Sequence, residues 1–405
     1  FKSRIIWYIF CKIINGNKDC SAYTLENSLV WNNINISVMM SHRYLIGKVI
    51  KYLQELLYNM NHVVIMAGGV GSRFWPLSTP EHPKQFIDIL GCGHTLIQLT
   101  VARFQSICPY ANFWVVTNEK YVDIIEQQIP TIPSHHILAE PTARNTAPCI
   151  AWACWCILQE DSDANVVVTP SDAVVMNSTE FQRVINNALL FTAHRNVIVT
   201  IGIKPNRLET GYGYIQFDNN NNENIYSVVQ FREKPSLETA KEYLTAGNYL
   251  WNAGVFVWNI QTITSAIAKY KPNIAAAMNK IFETGDVQTF FPTCENISID
   301  YAVIEPAATE GFVYTHPADF GWSDLGNWQS LHEKLMASGS HSDSEGNGAI
   351  GNVHFYECSN CVVHVEDAKK VVLQGLNGYI ISEKGGRILV CKRNEEQRIR
   401  EFSVD

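Results

Sequence analysis

From Asn61 onward the chain repeats one pattern: a short apolar run, a glycine or polar turn, then a stretch with apolar positions at helical spacing. His62 to Ala67, Phe113 to Thr117, Val166 to Thr169 and Val197 to Gly202 read as buried strands, because they are apolar on both sides of the pleat. Strands separated by helical stretches predict an α/β domain with a mainly parallel sheet covered on both faces, and ligands in such folds bind beyond the carboxyl ends of the strands. Asp218 to Asn224, almost all Asn, predicts a turn between two strand-like runs. Ser338 to Gly351 is rich in Ser, Gly, Asp and Asn and reads as a linker. The Val-, Ile- and Gly-rich strands that follow to Cys391 are too short for βαβ units and predict a stacked or solenoid unit, ending in a charged, helical tail over 392–400.

Residues 1–59 differ in texture, with many Asn, Ile and Lys and no strand–helix alternation. Leu45, Ile46, Val49, Ile50, Leu53, Leu56 and Leu57 predict one amphipathic helix, read as lying on the next domain rather than anchoring to a membrane surface. The expected division is therefore an N-terminal extension over 1–59, a catalytic domain over 60–337 and a β-rich unit with its tail over 338–405.

With 405 residues, 46% of them apolar, the chain can fill the core of one large domain and a smaller one. Its 31 basic and 39 acidic residues leave a net charge of -8, which argues against general affinity for nucleic acid or anionic membrane. Scattered cysteines suit a reducing cytoplasm, and the apolar run Ile5 to Cys11 is too short to span a bilayer. Any phosphate chemistry must be local.

Gly68-Gly69-Val70-Gly71-Ser72-Arg73 stands directly after the first predicted strand, with Pro83-Lys84-Gln85-Phe86 close behind. Glycines there let backbone N–H groups approach phosphate oxygens. The spacing fails the P-loop pattern, since no Lys-Ser/Thr follows, and the dinucleotide pattern, since Phe74 replaces the third Gly. The pairing with Arg73 and Lys84 is more specific: two cations able to bind a triphosphate from opposite ends. His354, Cys358, Cys361 and His364 have zinc-like spacing, but strand alternation sends neighbours to opposite faces, so they are read as structural.

The run Ala67-Gly68-Gly69-Val70-Gly71-Ser72-Arg73-Phe74-Trp75-Pro76-Leu77-Ser78, with Pro83-Lys84-Gln85-Phe86, resembles the signature of bacterial mannose-1-phosphate guanylyltransferases, apart from Phe74, where Leu is more usual. The resemblance continues through Glu140-Pro141-Thr142-Ala143-Arg144-Asn145-Thr146-Ala147-Pro148, Pro170-Ser171-Asp172, Phe231-Arg232-Glu233-Lys234-Pro235, Trp251-Asn252-Ala253-Gly254-Val255-Phe256 and Gly321-Trp322-Ser323-Asp324-Leu325-Gly326, in the family's order. It implies an αβα nucleotide-diphospho-sugar transferase (Rossmann-like) domain followed by a short left-handed β-helix. It also implies GTP and mannose 1-phosphate as substrates, with a homodimer left open. Many long members carry a sugar-phosphate isomerase domain after the β-helix. This chain ends at Asp405, so the expectation is a single activity.

By the same resemblance Asp172 and Asp324 hold Mg2+, a cation that takes a few carboxylates and completes its shell with phosphate and water oxygens. Arg73 and Lys84 are the expected catalytic cations. Gly68, Gly69, Gly71, Ser72, Glu140, Arg144 and Asn145 are placed at the nucleotide. Gly213, beside Tyr212, is placed against the sugar with Glu233, Lys234 and Asn252; Lys234 suits the sugar's phosphate, and Glu233 and Asn252 suit its hydroxyls. Glu140 is the candidate reader of guanine, whose N1–H and 2-amino group are adjacent donors, though a turn cap with backbone readers is the competing reading. The reaction this implies is in-line attack of the sugar phosphate on the α-phosphorus of GTP. The alternatives are fucose or heptose 1-phosphate as acceptor, or a silent regulatory relative.

Overall fold

The computed structural model describes Lys51 and residues 54–69, 71–218, 224–339, 341–367 and 370–403. The helix expected over Leu45 to Leu57 falls largely outside these residues, as do Val70 and most of the Asn-rich turn; Lys51 and 54–57 are helical. Residues 1–59 and 60–405 are separate compact units.

The framework of the second unit is a nine-stranded sheet built from β1 (Asn61–Met66), β2 (Phe113–Asn118), β3 (Ile137–Glu140), β4 (Asn165–Pro170), β5 (Ile198–Ile203), β6 (Tyr214–Phe217), β7 (Tyr226–Arg232), β8 (Tyr249–Asn259) and β9 (Val313–Ala318), in the order β3-β2-β1-β4-β8-β5-β9-β7-β6. Alternation along the strands makes three layers. Val63, Ile65, Val115 and Val167 point into one core with Phe104, Ile125 and Phe181. Val64, Trp114, Val166 and Val168 point into the other with Ile150, Ile263 and Met278. Both faces are covered, which is why these strands read as unbroken apolar runs.

The sheet is mixed rather than mainly parallel. β3, β2, β1 and β4 are parallel neighbours, but β8 runs antiparallel between β4 and β5. The physical reason is that β8 is long and pairs on both sides: Val166 and Val168 lie opposite Trp258 and Phe256, and Val199 opposite Val257. It joins two half-sheets, and direction of travel leaves no mark in an apolar run.

The span read as a linker contains β10 (Gly348–Ile350). It stacks in parallel with β12 (Val362–Val365) and β14 (Tyr379–Lys384), while β11 (Val353–Tyr356) stacks in parallel on β13 (Val371–Gln374). β15 (Arg387–Lys392) folds back antiparallel on β14. Ile350, Val362 and Ile380 share a core with Phe74, Leu77, Trp328 and Leu331. The tail, a 3-10 helix over Arg393–Arg398 and a short helix over Ile399–Phe402, buries Ile399 in that same core.

Candidate active site

The site is built at the carboxyl ends of β1 and β4. After β1 the chain turns through Gly68, Gly69 and Gly71 into the 3-10 helix Ser72–Phe74. Gly71 has φ +68, and a Cβ there would stand 2.5 Å from Cβ of Lys84, so no side chain fits. Gln85 braces the loop by donating through Nε2 to the carbonyls of Ala67 (3.1 Å) and Gly69 (2.8 Å), and Ser78 donates to Gly71 O. With those carbonyls engaged behind it, the loop can turn N–H groups toward an anion. Phe74 is buried against Trp328, whose Nε1 donates to Arg73 O; the larger ring fills the core beneath the loop.

Asp172 and Asp324 come together through backbone. Val174 and Ser323 form an isolated antiparallel bridge, with N–H···O distances of 2.8 and 3.0 Å, which sets the two loops side by side. Lys84, only 4% exposed, links them: its Nζ lies 2.8 Å from Asp172 Oδ2 and donates to the carbonyls of Asp324 (3.0 Å) and Leu325 (2.9 Å). All three ammonium hydrogens therefore have protein partners. Arg73 donates through Nη1 to Gly326 O at 3.1 Å, and its Nε has no partner among the described residues.

These side chains line one cleft of about 600 Å³ with Gly213, Glu233, Lys234 and Asn252. On this second side, Asn252 N donates to Gly213 O and Lys234 N to Tyr212 O, drawing the ends of β6, β7 and β8 together. The Asn252 amide is oriented: Oδ1 accepts from Thr200 Oγ1 (3.0 Å) and Gly254 N (3.1 Å), and Nδ2 donates to Asp300 Oδ1 (3.0 Å). Lys234 has φ 46, a strained setting for a side-chain-bearing residue, and stands 63% exposed with Nζ 3.3 Å from Glu233 Oε1.

Among the described residues each of the two aspartates keeps one carboxylate oxygen uncommitted. Asp324 Oδ1 accepts from Tyr212 Oη (2.7 Å) and Gly326 N (3.2 Å), while its Oδ2 lies where a Cβ on residue 326 would be, 2.5 Å away. Asp172 Oδ1 likewise has no hydrogen bond among the described residues. Hard oxygen donors in a phosphate-sized cleft fit a divalent cation.

Gly68, Gly69, Glu140, Arg144 and Asn145 stand outside this lining, on the neighbouring strand ends. Glu140 closes β3, buried, with Oε1 lacking a partner among the described residues; burial pushes its carboxyl up to about 7. Its Oε2 would be 3.8 Å from a Cβ on Gly68. Asn145, at φ 65, caps the helix Thr146–Glu160 by accepting from Thr146 N. Arg144 is half-buried, its Nε unpaired among the described residues. Ser72 opens the 3-10 helix.

Two charged lining residues, Asp300 and Arg400, escaped the sequence reading. Asp300, whose carboxyl is raised to about 7 by burial and then by Glu233, lies in a π-helical turn without a motif. Thr146, which lies within the motif run that opens at Glu140 but was given no role there, also lines the cleft and accepts from Ile299 N at 2.8 Å. Arg400 enters from the tail, which gave no signal beyond its charge.

The profile of the nucleotidyl transferase family matches residues 62–340. The xanthan biosynthesis protein XanB of Xanthomonas campestris is 34% identical over 349 residues, 84% of this chain and 71% of that protein. The mannose-1-phosphate guanylyltransferase of Escherichia coli K12 is 33% identical over 353 residues, 83% and 71% of the two chains. Among solved structures, mannose-1-phosphate geranyltransferase from Thermus thermophilus superposes with a TM-score of 0.76 at 27% identity, covering 85% of this chain and 98% of that one. The profile covers most of the chain and the relatives exceed 30% identity over most of its length, so the chain belongs to the nucleotidyl transferase family, with its α/β fold.

Proposed function

We propose that the protein transfers GMP from GTP to the phosphate of mannose 1-phosphate, giving GDP-mannose and pyrophosphate. The observation that carries this is the shared cleft in which Gly71, Arg73, Lys84 and two aspartates face Gly213, Glu233, Lys234 and Asn252. The Escherichia coli relative bears the name of this activity. Both reactants are anions, so catalysis consists of aligning them and neutralising charge on the α-phosphate and the leaving oxygens.

Arg73, fixed on Gly326 O, faces the leaving pyrophosphate. Lys84 contributes fixed positive charge at the phosphates and holds Asp172 in place. Lys234 reaches the sugar's phosphate, and Glu233 with Asn252 accepts or donates to its hydroxyls. The sugar phosphate's own oxygen attacks in line, with no protein nucleophile. Asp172 Oδ1 and Asp324 Oδ2 would hold Mg2+, which when bound supplies positive charge to the triphosphate oxygens. Glu140 accepts from guanine N1–H and the 2-amino group, which would pair its buried, partnerless oxygen.

We place the functional division at residue 337 and take the stacked strands β10 to β14 as coils of a left-handed β-helix. The exposed Ile388 and Val390 of the edge strand β15 offer a face for a homodimer. Free thiols at every cysteine among the described residues suit the cytoplasm, and no helix among them is long and apolar enough to cross a membrane. Incubation with GTP, Mg2+ and mannose, fucose or heptose 1-phosphate tests the reading: mannose 1-phosphate should give the highest kcat/KM for pyrophosphate release, and a clear preference for another sugar would reassign the acceptor.

A further inference from the structure

A second cluster lies at the opposite pole of the sheet, at the amino ends of the parallel strands. His135 and His136 close a 3-10 turn, Ser134–His136, that leads directly into β3, and Glu160 ends the helix Thr146–Glu160. His136 is 3% exposed and stacks on the indole of Trp114, ring centroids 3.7 Å apart and planes at 16°. Trp114 is itself fixed, its Nε1 donating to His62 Nδ1 at 3.2 Å, and His62 Nε2 lies 3.4 Å from Asp161 Oδ2.

The hydrogen bonding of His136 leaves one atom unexplained. Nδ1 lies 3.2 Å from the carbonyl of Phe113, which can only accept, so Nδ1 carries hydrogen. Nε2 is buried and makes no hydrogen bond of acceptable geometry among the described residues, although it stands 3.3 Å from Glu160 Oε2. In the neutral ring that places an imidazole lone pair against a carboxylate, which repels unless a cation stands between them. Burial, the largest influence on this ring, favours the neutral form, and His135 adds to it; Glu160 opposes both. A histidine whose Nδ1–H is held by a carbonyl while Nε2 points at other donors is the arrangement that metal-ligating imidazoles adopt.

We propose that His135, His136 and Glu160 form a transition-metal site of the zinc type, separate from the catalytic cleft. One ligand atom from each lies within 4.8 Å of the others. Ligands of a tetrahedral zinc stand roughly 3.3 Å apart at bond lengths of about 2.0–2.1 Å. The contraction falls on His135 and Glu160, both exposed and able to rotate, while the buried His136 stays in place. Two imidazoles and one carboxylate select Zn2+ over Mg2+, and solvent completes the fourth position. The bound ion would clip the turn before β3 to the end of the helix that Asn145 caps.

The test uses the full chain, stripped with chelator and titrated with Zn2+ by calorimetry in saturating Mg2+, beside His135→Ala, Glu160→Gln and their double variant. Both substitutions are on exposed side chains, so folding should survive; His136→Ala is not needed. The expected result is one tight site in the natural chain, weakened about 10–100-fold by either substitution, and a rise in Tm on adding Zn2+ that the double variant lacks. Zn2+ uptake equal in the natural chain and the double variant would overturn the proposal, because the ion would then sit elsewhere. So would no stoichiometric uptake at all, or an NMR spectrum showing both His136 ring nitrogens protonated in saturating Zn2+, which would make the cluster an ion pair.

Discussion

The two walls of the cleft hold their cations differently. On the phosphate wall Lys84 is buried, its three hydrogens committed to Asp172 and two carbonyls, and Arg73 is pinned to Gly326 O. On the sugar wall Lys234 is largely exposed, with Nζ near its neighbour Glu233. The first wall is organised before any ligand arrives, and its charges are part of the fold. The second presents an exposed charge beside an oriented frame of Asn252 and Asp300. Damage to the first wall should therefore reach both stability and turnover, and damage to the second should reach substrate affinity.

The largest effect is expected for Asp172→Asn, which keeps shape and removes a charge where phosphate charge concentrates: kcat should fall about 1,000-fold with the fold intact. Near-normal pyrophosphate release by a folded variant would take Asp172 out of the site. Lys84→Met leaves Asp172 and two carbonyls without their donor, so a loss of about 3 kcal/mol in urea unfolding should accompany a kcat lower by about 100-fold. An active variant of unchanged stability would erase the contrast between the walls. Lys234→Ala should raise KM for mannose 1-phosphate about 10-fold, through one lost charge-assisted contact, with Tm unchanged. Arg400→Ala sharpens the first wall's boundary: a rise of about 3- to 10-fold in KM for GTP is expected for an exposed cation at the rim, and no change would confine the triphosphate to Arg73 and Lys84.

Glu140 belongs to neither wall. Its folded-state carboxyl is raised from 4.5 to about 7 by burial. Stability associated with the protonated form is present at low pH and lost as pH rises through 7, so Glu140→Gln should stabilise the free enzyme at pH 8 by on the order of 1–3 kcal/mol. Recognition has the opposite sign: only the carboxylate accepts both guanine donors, so kcat/KM for GTP should rise through pH 7, and Glu140→Gln should flatten that rise and narrow the preference over ATP. An unchanged GTP-to-ATP ratio would show that other groups read the base.

The first wall was legible because its residues cluster in short runs. A glycine loop after an apolar strand and an aspartate after another both sit where strand ends must lie, and the apolar runs of β1, β2, β4 and β5 are visible without any tertiary information. What stayed hidden depends on distant pieces of chain. The bridge between Val174 and Ser323 and the return of Arg400 to the cleft go with the shared core of Val174, Phe74, Trp328 and Ile399, and the antiparallel course of β8 is set by its pairing with β4 and β5. Lys84 shows the limit most clearly. Its place in the run Pro83 to Phe86 marked it as a cation for phosphate, but only the fold shows that its hydrogens are engaged by Asp172, Asp324 and Leu325.

The central claim, direct transfer between two bound anions without a covalent enzyme intermediate, is tested most directly by a single-turnover experiment. Enzyme in excess over GTP, with Mg2+, should release no pyrophosphate until mannose 1-phosphate is added, and then one equivalent together with one of GDP-mannose. A burst of pyrophosphate from GTP alone, with guanylate left on the protein, would contradict the account.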